Sequence, residues 1–294
     1  MTPTKSPYWF KLDPLGLIKI SGADAARFLQ GQLTCDVNQL STLPSSLGAC
    51  CDSKGRVLFS FYVFTKDDAY YLCLPSSMID GAITHLRKYV IIAKVQLEKC
   101  ENIEVLGLVG INLSSDASHS VIPVDPSINR QLVILNSVDF NKFHEAHLLN
   151  SENIHTEYWT LLNIEQGIAT IYPETQALFT PQMLNYEKFN AVSFNKGCYV
   201  GQEIIARTQH LGKLKRHLHQ IQLSENAKPG DELKNAAGTV IGAIVECAQN
   251  KDSQFSALAV IQDQGLEEVL YCGNKPIIVL QLDPANKSRD DGGA

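Results

Sequence analysis

Several things are missing from this 294-residue chain. No apolar run approaches the ~18 residues that a membrane-spanning helix needs, so no transmembrane segment is expected. Residues 1–14 carry Lys5 and Lys11 but no continuous apolar core, and are not expected to act as a secretory signal. There is no basic excess: the net charge is −6 and the pI about 5.8, which argues against indiscriminate binding to nucleic acid. Eight cysteines occur, at 35, 50, 51, 73, 100, 198, 247 and 272, yet none forms a C-x-x-C pair, and a chain of this length needs no disulfide staples. Reduced thiols in a cytoplasmic protein are expected. Internal repeats and low-complexity segments are also absent.

Against these absences stands one dense stretch, Lys196-Gly197-Cys198-Tyr199-Val200-Gly201-Gln202-Glu203. Eight residues hold a cation, a thiol, a phenol, an amide and a carboxylate, with two glycines that permit close backbone approach. The apolar run Ile204-Ile205-Ala206 follows, so the stretch reads as a loop feeding the first turn of a helix, with Cys198 just outside it. Lys196 and the helix N-terminus would both favour a thiolate, which predicts an activated Cys198. A small buried cysteine in a tight turn is the plainer alternative.

The pattern Lys-Gly-Cys-Tyr-x-Gly-Gln-Glu resembles the signature of the YgfZ-like folate-binding proteins, which are relatives of the glycine-cleavage aminomethyltransferase. The likeness extends over Ile18–Asp24, Gln30–Val37, Asp52-Ser53-Lys54-Gly55-Arg56, Trp159–Gly167 and Phe179-Thr180-Pro181-Gln182, and weakens beyond about Arg216. It implies tetrahydrofolate as ligand, iron–sulfur proteins or their assembly machinery as partners, and tRNA as an indirect beneficiary. It also implies that Trp159 and Glu165 hold the pterin. Leu15 stands where the family often has a further tryptophan. Tyr199, Gln202, Glu203 and Arg207 are the remaining candidates for contact with ligand or partner. The thiolate of Cys198 would ligate a cluster iron transiently or take part in thiol exchange, and the sequence leaves both open.

One departure bears on activity. In the related transferases an acidic pair lies in the strand after a glycine turn. The matching strand here begins Arg56-Val57-Leu58-Phe59-Ser60, so Phe59 and Ser60 replace the acids, and Asp67 and Asp68 sit at its far end. Aminomethyl transfer is therefore not expected, and the reading is of an accessory protein more than a classical enzyme. A folate-dependent one-carbon transferase is one alternative. An RNA-binding factor for tRNA modification is another, resting on the basic cluster Arg207, Lys213, Lys215 and Arg216 with His210, His217 and His219, which equally suits a solvated surface. His217-x-His219 has no evident third ligand, so no metal site is expected.

Taken in order, strands are expected at Leu15–Ile20, Val57–Phe64, Ala69–Leu74, 93–99, 104–110 and Gln131–Leu135. Helices are expected at Asp24–Gln30 with Gly31 as a left-handed cap, after a Ser76 cap, at Asp139–Leu149, and at His155–Gln166. Trp159, Leu162 and Glu165 fall on one i+3 row of that last helix. Ser114–Asn129 reads as a polar loop. The irregular order of strands and helices predicts an α+β domain over 1–205, with a possible division near 100–115. Short apolar runs between turn signals predict a small C-terminal β-barrel over 206–284. A disordered tail is expected at 285–294.

Overall fold

A computed structural model describes residues 7–91, 93–212, 214–250 and 254–280. The expected tail at 285–294 lies outside the described residues. The chain divides into two compact units, one of Met1–Trp159 with Thr170–Lys213 and one of Thr160–Ala169 with Leu214–Ala294. The break expected at 205/206 falls inside a continuous helix, Gln202–Leu211.

The first unit holds two five-stranded sheets. One is ordered Ser46–Cys51, Val57–Lys66, Ala69–Pro75, Leu15–Ser21, Gln96–Lys99, with every pairing antiparallel. The long strand Val57–Lys66 buries residues on both faces, as the apolar residues on both faces of Val57–Phe64 predict. It turns at Asp67 and Asp68, both at positive φ (49° and 56°), which gives the twist that a two-residue hairpin requires. The other sheet is ordered Glu152–Asn153, Tyr8–Lys11, Ile103–Val109, Arg130–Asn136, His119–Asp125. The chain passes from one sheet to the other between Lys99 and Ile103. Trp9, Leu106, Leu108, Val121, Val133 and Leu135 form a core under the second sheet with Phe143 and Leu148.

The helices are α1 (Ala25–Gln30), α2 (Ile79–Arg87), α3 (Phe140–His147), α4 (Glu157–Gln166) and α5 (Gln202–Leu211). Ile79, Ala82, Ile83 and Leu86 of α2 are buried at helical spacing.

Three local expectations need correction. Gly31 closes α1 at φ −85°, not in the left-handed region, because the chain winds on and Gln32 and Leu33 still donate to Leu29 O. Ser76 does not cap α2; it opens a short 3₁₀ turn, and its N–H donates to Pro14 O. Ser114–Asn129 is not all loop, since His119–Asp125 is a strand. Pro123 masks it in the sequence, yet the strand lies at a sheet edge, where a missing N–H costs little.

The second unit carries a seven-stranded, barrel-like antiparallel sheet. Its order is Lys275–Pro276, Leu270–Cys272, Glu232–Asn235, Val240–Gln249, Phe255–Gln262, Arg216–Leu223, Ile278–Leu280. Ile221, Leu233, Ile244, Ala257, Ala259 and Ile261 are among its buried core. Short runs of apolar residues between turns do give a β domain, with seven strands where the runs suggest about five.

The Asp67-Asp68 turn is the most directly testable local feature. Replacing it by Asn-Gly should raise stability by about 0.5–1 kcal/mol in chemical denaturation, because left-handed backbone strain is relieved at Asp68. An unchanged midpoint would show that this strain is negligible.

Candidate functional site

Four of the stretches singled out in the sequence meet in the first unit, and their meeting builds the loop that carries Cys198. The hub is Leu33–Cys35. Thr34 pairs with Ala49 through its N–H (2.8 Å to Ala49 O), and its hydroxyl oxygen accepts from Ala49 N at 2.9 Å. The same hydroxyl donates to Ala191 O at 2.6 Å, and Thr34 O accepts from Ser193 N at 2.9 Å. Lys196 Nζ then donates to both Leu33 O and Cys35 O, each at 2.7 Å. Leu33 makes an isolated bridge to Cys50 and the chain bends at Thr34 and Cys35, with both flanking carbonyls within reach of one ammonium.

Beyond Lys196 the chain makes a short excursion. Gly197 and Cys198 are exposed, and a Cβ built on Gly197 would meet nothing within 4 Å. Tyr199 returns to the interior, with its ring 5.0 Å from Lys196 Nζ. Val200 N donates to Gly31 O at 3.2 Å. Gly201, at φ +83°, opens α5. Only glycine fits there, since a Cβ would lie 2.5 Å from Asp52 O.

The Asp52–Arg56 turn that Gly201 rests on is self-capped. One Asp52 oxygen accepts from Lys54 N (2.8 Å) and Arg56 N (2.9 Å). The Arg56 guanidinium reaches Leu178 O. Val57 N donates to Phe179 O at 2.8 Å, and Gln182 Nε2 donates to Ile205 O at 2.7 Å, which fixes α5 from a fourth direction.

Lys196 is committed to the base of the loop. Its proton donors are directed to two carbonyls, and the groups acting on its charge are Cys35 and Asp36. Burial outweighs both and lowers its pKa to about 8. Burial also raises the pKa of the Tyr199 phenol, whose enclosed hydroxyl has no hydrogen-bond partner among the described residues. Cys35, fully buried beside this lysine, is pushed up to about 11, and Cys50 and Cys73 to about 12. Among all eight cysteines, which are free of disulfides, Cys198 alone is exposed.

The other predicted residues fall as follows. Gln202 Oε1 accepts from Tyr199 N at 3.3 Å, so it braces the loop. Glu203 and Arg207 are exposed on α5, and Leu15 is half-buried at the start of its strand. Trp159 is buried, with the Arg130 guanidinium 3.9 Å from its ring centroid and Phe10 edge-on at 5.5 Å. Arg130 Nη2 also donates to Trp159 O at 3.1 Å. A Cβ on Gly107 would come within 2.5 Å of the indole. Its ring is thus core, while Glu165 is exposed. The i+3 row does not keep them on one face, because each step of three falls short of a full turn by 60° and two steps separate them by about 120°.

Phe59 and Ser60, at the positions expected for acids, are both interior. Phe59 packs against Phe61 and His85, and Ser60 Oγ accepts from Ile171 N at 3.1 Å. The basic cluster is divided in the chain: Arg207 lies on α5, whereas Lys215 and Arg216 belong to the second unit. Lys213 lies outside the described residues. His217 Nδ1 is 2.6 Å from Asp263 Oδ1. Among the described residues no group of three His, Cys, Asp or Glu is arranged to hold a metal ion. No described helix is long and apolar enough to cross a membrane.

Sequence comparison decides the family. The chain is 30% identical over 281 residues to the tRNA-modifying protein YgfZ of Colwellia psychrerythraea, covering 88% of this chain and 86% of that one. It belongs to the YgfZ family. The proteins of the same name from Aliivibrio fischeri (30% over 277 residues, 89% and 87% covered) and Klebsiella pneumoniae (27% over 303 residues, 95% and 93%) agree. No protein-family model matches the chain. Among solved structures, the glycine cleavage system aminomethyltransferase T of Bartonella henselae superposes with a TM-score of 0.75 at 15% identity, over 94% of this chain and 85% of that one. This YgfZ-family chain therefore has the aminomethyltransferase fold.

The lysine's burial has a pH signature. Its folded pKa, about 8, lies below the ordinary 10.5, so between these values the unfolded chain keeps a proton that the folded chain has released. The burial cost is thus full below pH 8 and fades as pH rises towards 10.5. Denaturation of wild type and Lys196→Met across pH 7–10.5 should show the wild type gaining stability relative to the variant. A difference independent of pH would contradict the buried ammonium.

Proposed function

We propose that this chain is a tetrahydrofolate-binding accessory protein that supports assembly or repair of iron–sulfur clusters, and through them tRNA modification by iron–sulfur enzymes, with Cys198 as its reacting group. The observation that carries the reading is the exposure of Cys198 alone among eight thiols, at the apex of a loop pinned on both sides. Four cysteines are buried and three half-buried; this one is presented to a partner, with bare backbone at Gly197 leaving the approach open. Tyr199 and Gln202 hold the loop, and Glu203 and Arg207 offer charges on the adjoining helix for the partner to meet. Iron–sulfur proteins or their assembly machinery are the partners, the cluster is cargo, and tRNA benefits indirectly. The lack of a disulfide at any of the eight cysteines agrees with a reducing, cytoplasmic setting.

The tRNA link rests on the names of the relatives, and the folate link on the transferase-like fold together with the motif resemblance. Trp159 and Glu165 do not fit a pterin grip as they stand, since the indole is packed beneath Arg130 and the carboxylate faces elsewhere. The Tyr199 hydroxyl is enclosed as well and has no hydrogen-bond partner among the described residues. Aminomethyl transfer is not part of the reading, because Phe59 and Ser60 are core residues and supply no proton-transferring carboxylate.

Two measurements test this. Under native conditions near neutral pH, iodoacetamide labelling read by mass spectrometry should modify Cys198 ahead of the other seven cysteines, and Cys198→Ser should keep the fold yet fail to complement a strain lacking the family's activity. Slow labelling of Cys198, or full complementation by the serine variant, would remove the thiol from the function. Separately, calorimetric titration with tetrahydrofolate should show saturable binding, and an absence of heat and of any thermal shift would strike folate alone from the reading.

A further inference from the structure

The geometry points to Lys196 as a positioning residue for Cys198, a latch whose ammonium holds the loop base against the Leu33 and Cys35 carbonyls. The inference rests on the reading that Cys198 reacts, and adds how it is held. Three observations converge. First, the two 2.7 Å contacts join residues 163 and 161 positions apart in sequence, so the lysine supplies a tether that local loop structure cannot. Second, the receiving carbonyls are themselves immobile, because Thr34 between them is bonded to Ala49, Ala191 and Ser193. Third, the free span is only Gly197-Cys198, since Tyr199 is buried and Val200 N is bonded to Gly31 O. Two exposed residues between two anchors have little room to wander, and the sulfur is delivered to one place.

The chemistry of the group suits a latch. A primary ammonium can donate to two carbonyls at once and still lie against the Tyr199 ring, which an apolar side chain of equal length cannot do. Burying a cation is expensive where packing alone would serve, so an apolar residue would fill this space at lower cost. What the lysine adds is directional attachment. Positioning by hydrogen bonds from an outer residue is a recurrent requirement of reactive side chains, which lose effectiveness when displaced by about 1 Å.

The alternative, that Lys196 acts by its charge on the sulfur, predicts different behaviour, and the test separates them. In Lys196→Met, hydrogen exchange at the Val200 amide should speed up by about tenfold or more, as the loop base opens without global unfolding. The ratio of Cys198 labelling rates with anionic iodoacetate and neutral iodoacetamide should stay within about twofold of wild type, because that ratio reports local potential at the sulfur. Lys196→Gln, which keeps an N–H donor without the charge, should restore part of the protection. Unchanged exchange at Val200 would overturn the latch, as would a fall in the reagent ratio of about fivefold or more. If the methionine variant does not fold, the glutamine variant carries both readouts. Full complementation by Cys198→Ser would dispose of the functional reading without altering exchange at Val200, so the two failures are distinguishable.

Discussion

Everything about the candidate site depends on where the carbonyls of Leu33 and Cys35 point. They are held by Thr34, which spends its N–H, its carbonyl and both capacities of its hydroxyl on Ala49, Ala191 and Ser193. A buried polar side chain that satisfies every one of its bonds is worth more in rigidity than in net stability, because the penalty falls on leaving any of them unmade. The strand Ser46–Cys51 thereby orients the short bend at Leu33–Cys35, that bend receives the lysine, and the lysine sets the base of the loop. Gly201 and the Asp52–Arg56 turn close the other side. The loop is thus framed by contacts from four parts of the chain that are far apart in sequence.

The same arrangement sorts the thiols. Cys35, Cys50, Cys51 and Cys73 line the interior of the first unit, where burial disfavours their ionised forms. They act as small apolar residues. Cys35 lies directly beside the ammonium of Lys196 and is still raised, since the loss of water outweighs the neighbouring charge. Proximity to a cation therefore does not by itself favour a thiolate here. Cys198 differs from the others in being within reach of a reagent or partner.

Fold and chemistry part company in this chain. It shares the architecture of an aminomethyltransferase over nearly its whole length. Where acids are expected it has packed Phe59 and Ser60, with the serine hydroxyl bonded to the Ile171 backbone. A serine tied to a main-chain N–H is a structural brace, and a phenylalanine between aromatic neighbours is packing. Shared architecture carries no activity with it, and what the chain does must be argued from its own loop.

The sequence by itself determined the elements whose signals are local. The apolar strand signal of Val57–Phe64, the helical spacing of Ile79, Ala82, Ile83 and Leu86, and the change to short apolar runs after Arg207 are all local, and the motif around Cys198 was visible as a cluster of reactive groups. Tertiary structure decided the rest. It placed His119–Asp125 at a sheet edge, where its proline is harmless. It turned Trp159 into the core beneath Arg130 while Glu165 stayed outside, a consequence of the 120° between them and of a partner 29 residues away. Above all, it directed the ammonium of Lys196 to carbonyls more than 160 residues distant and left Cys198 exposed. A sequence shows which charges are near in the chain; which of them meet is decided by the hydrogen-bonding groups that the fold leaves open to them.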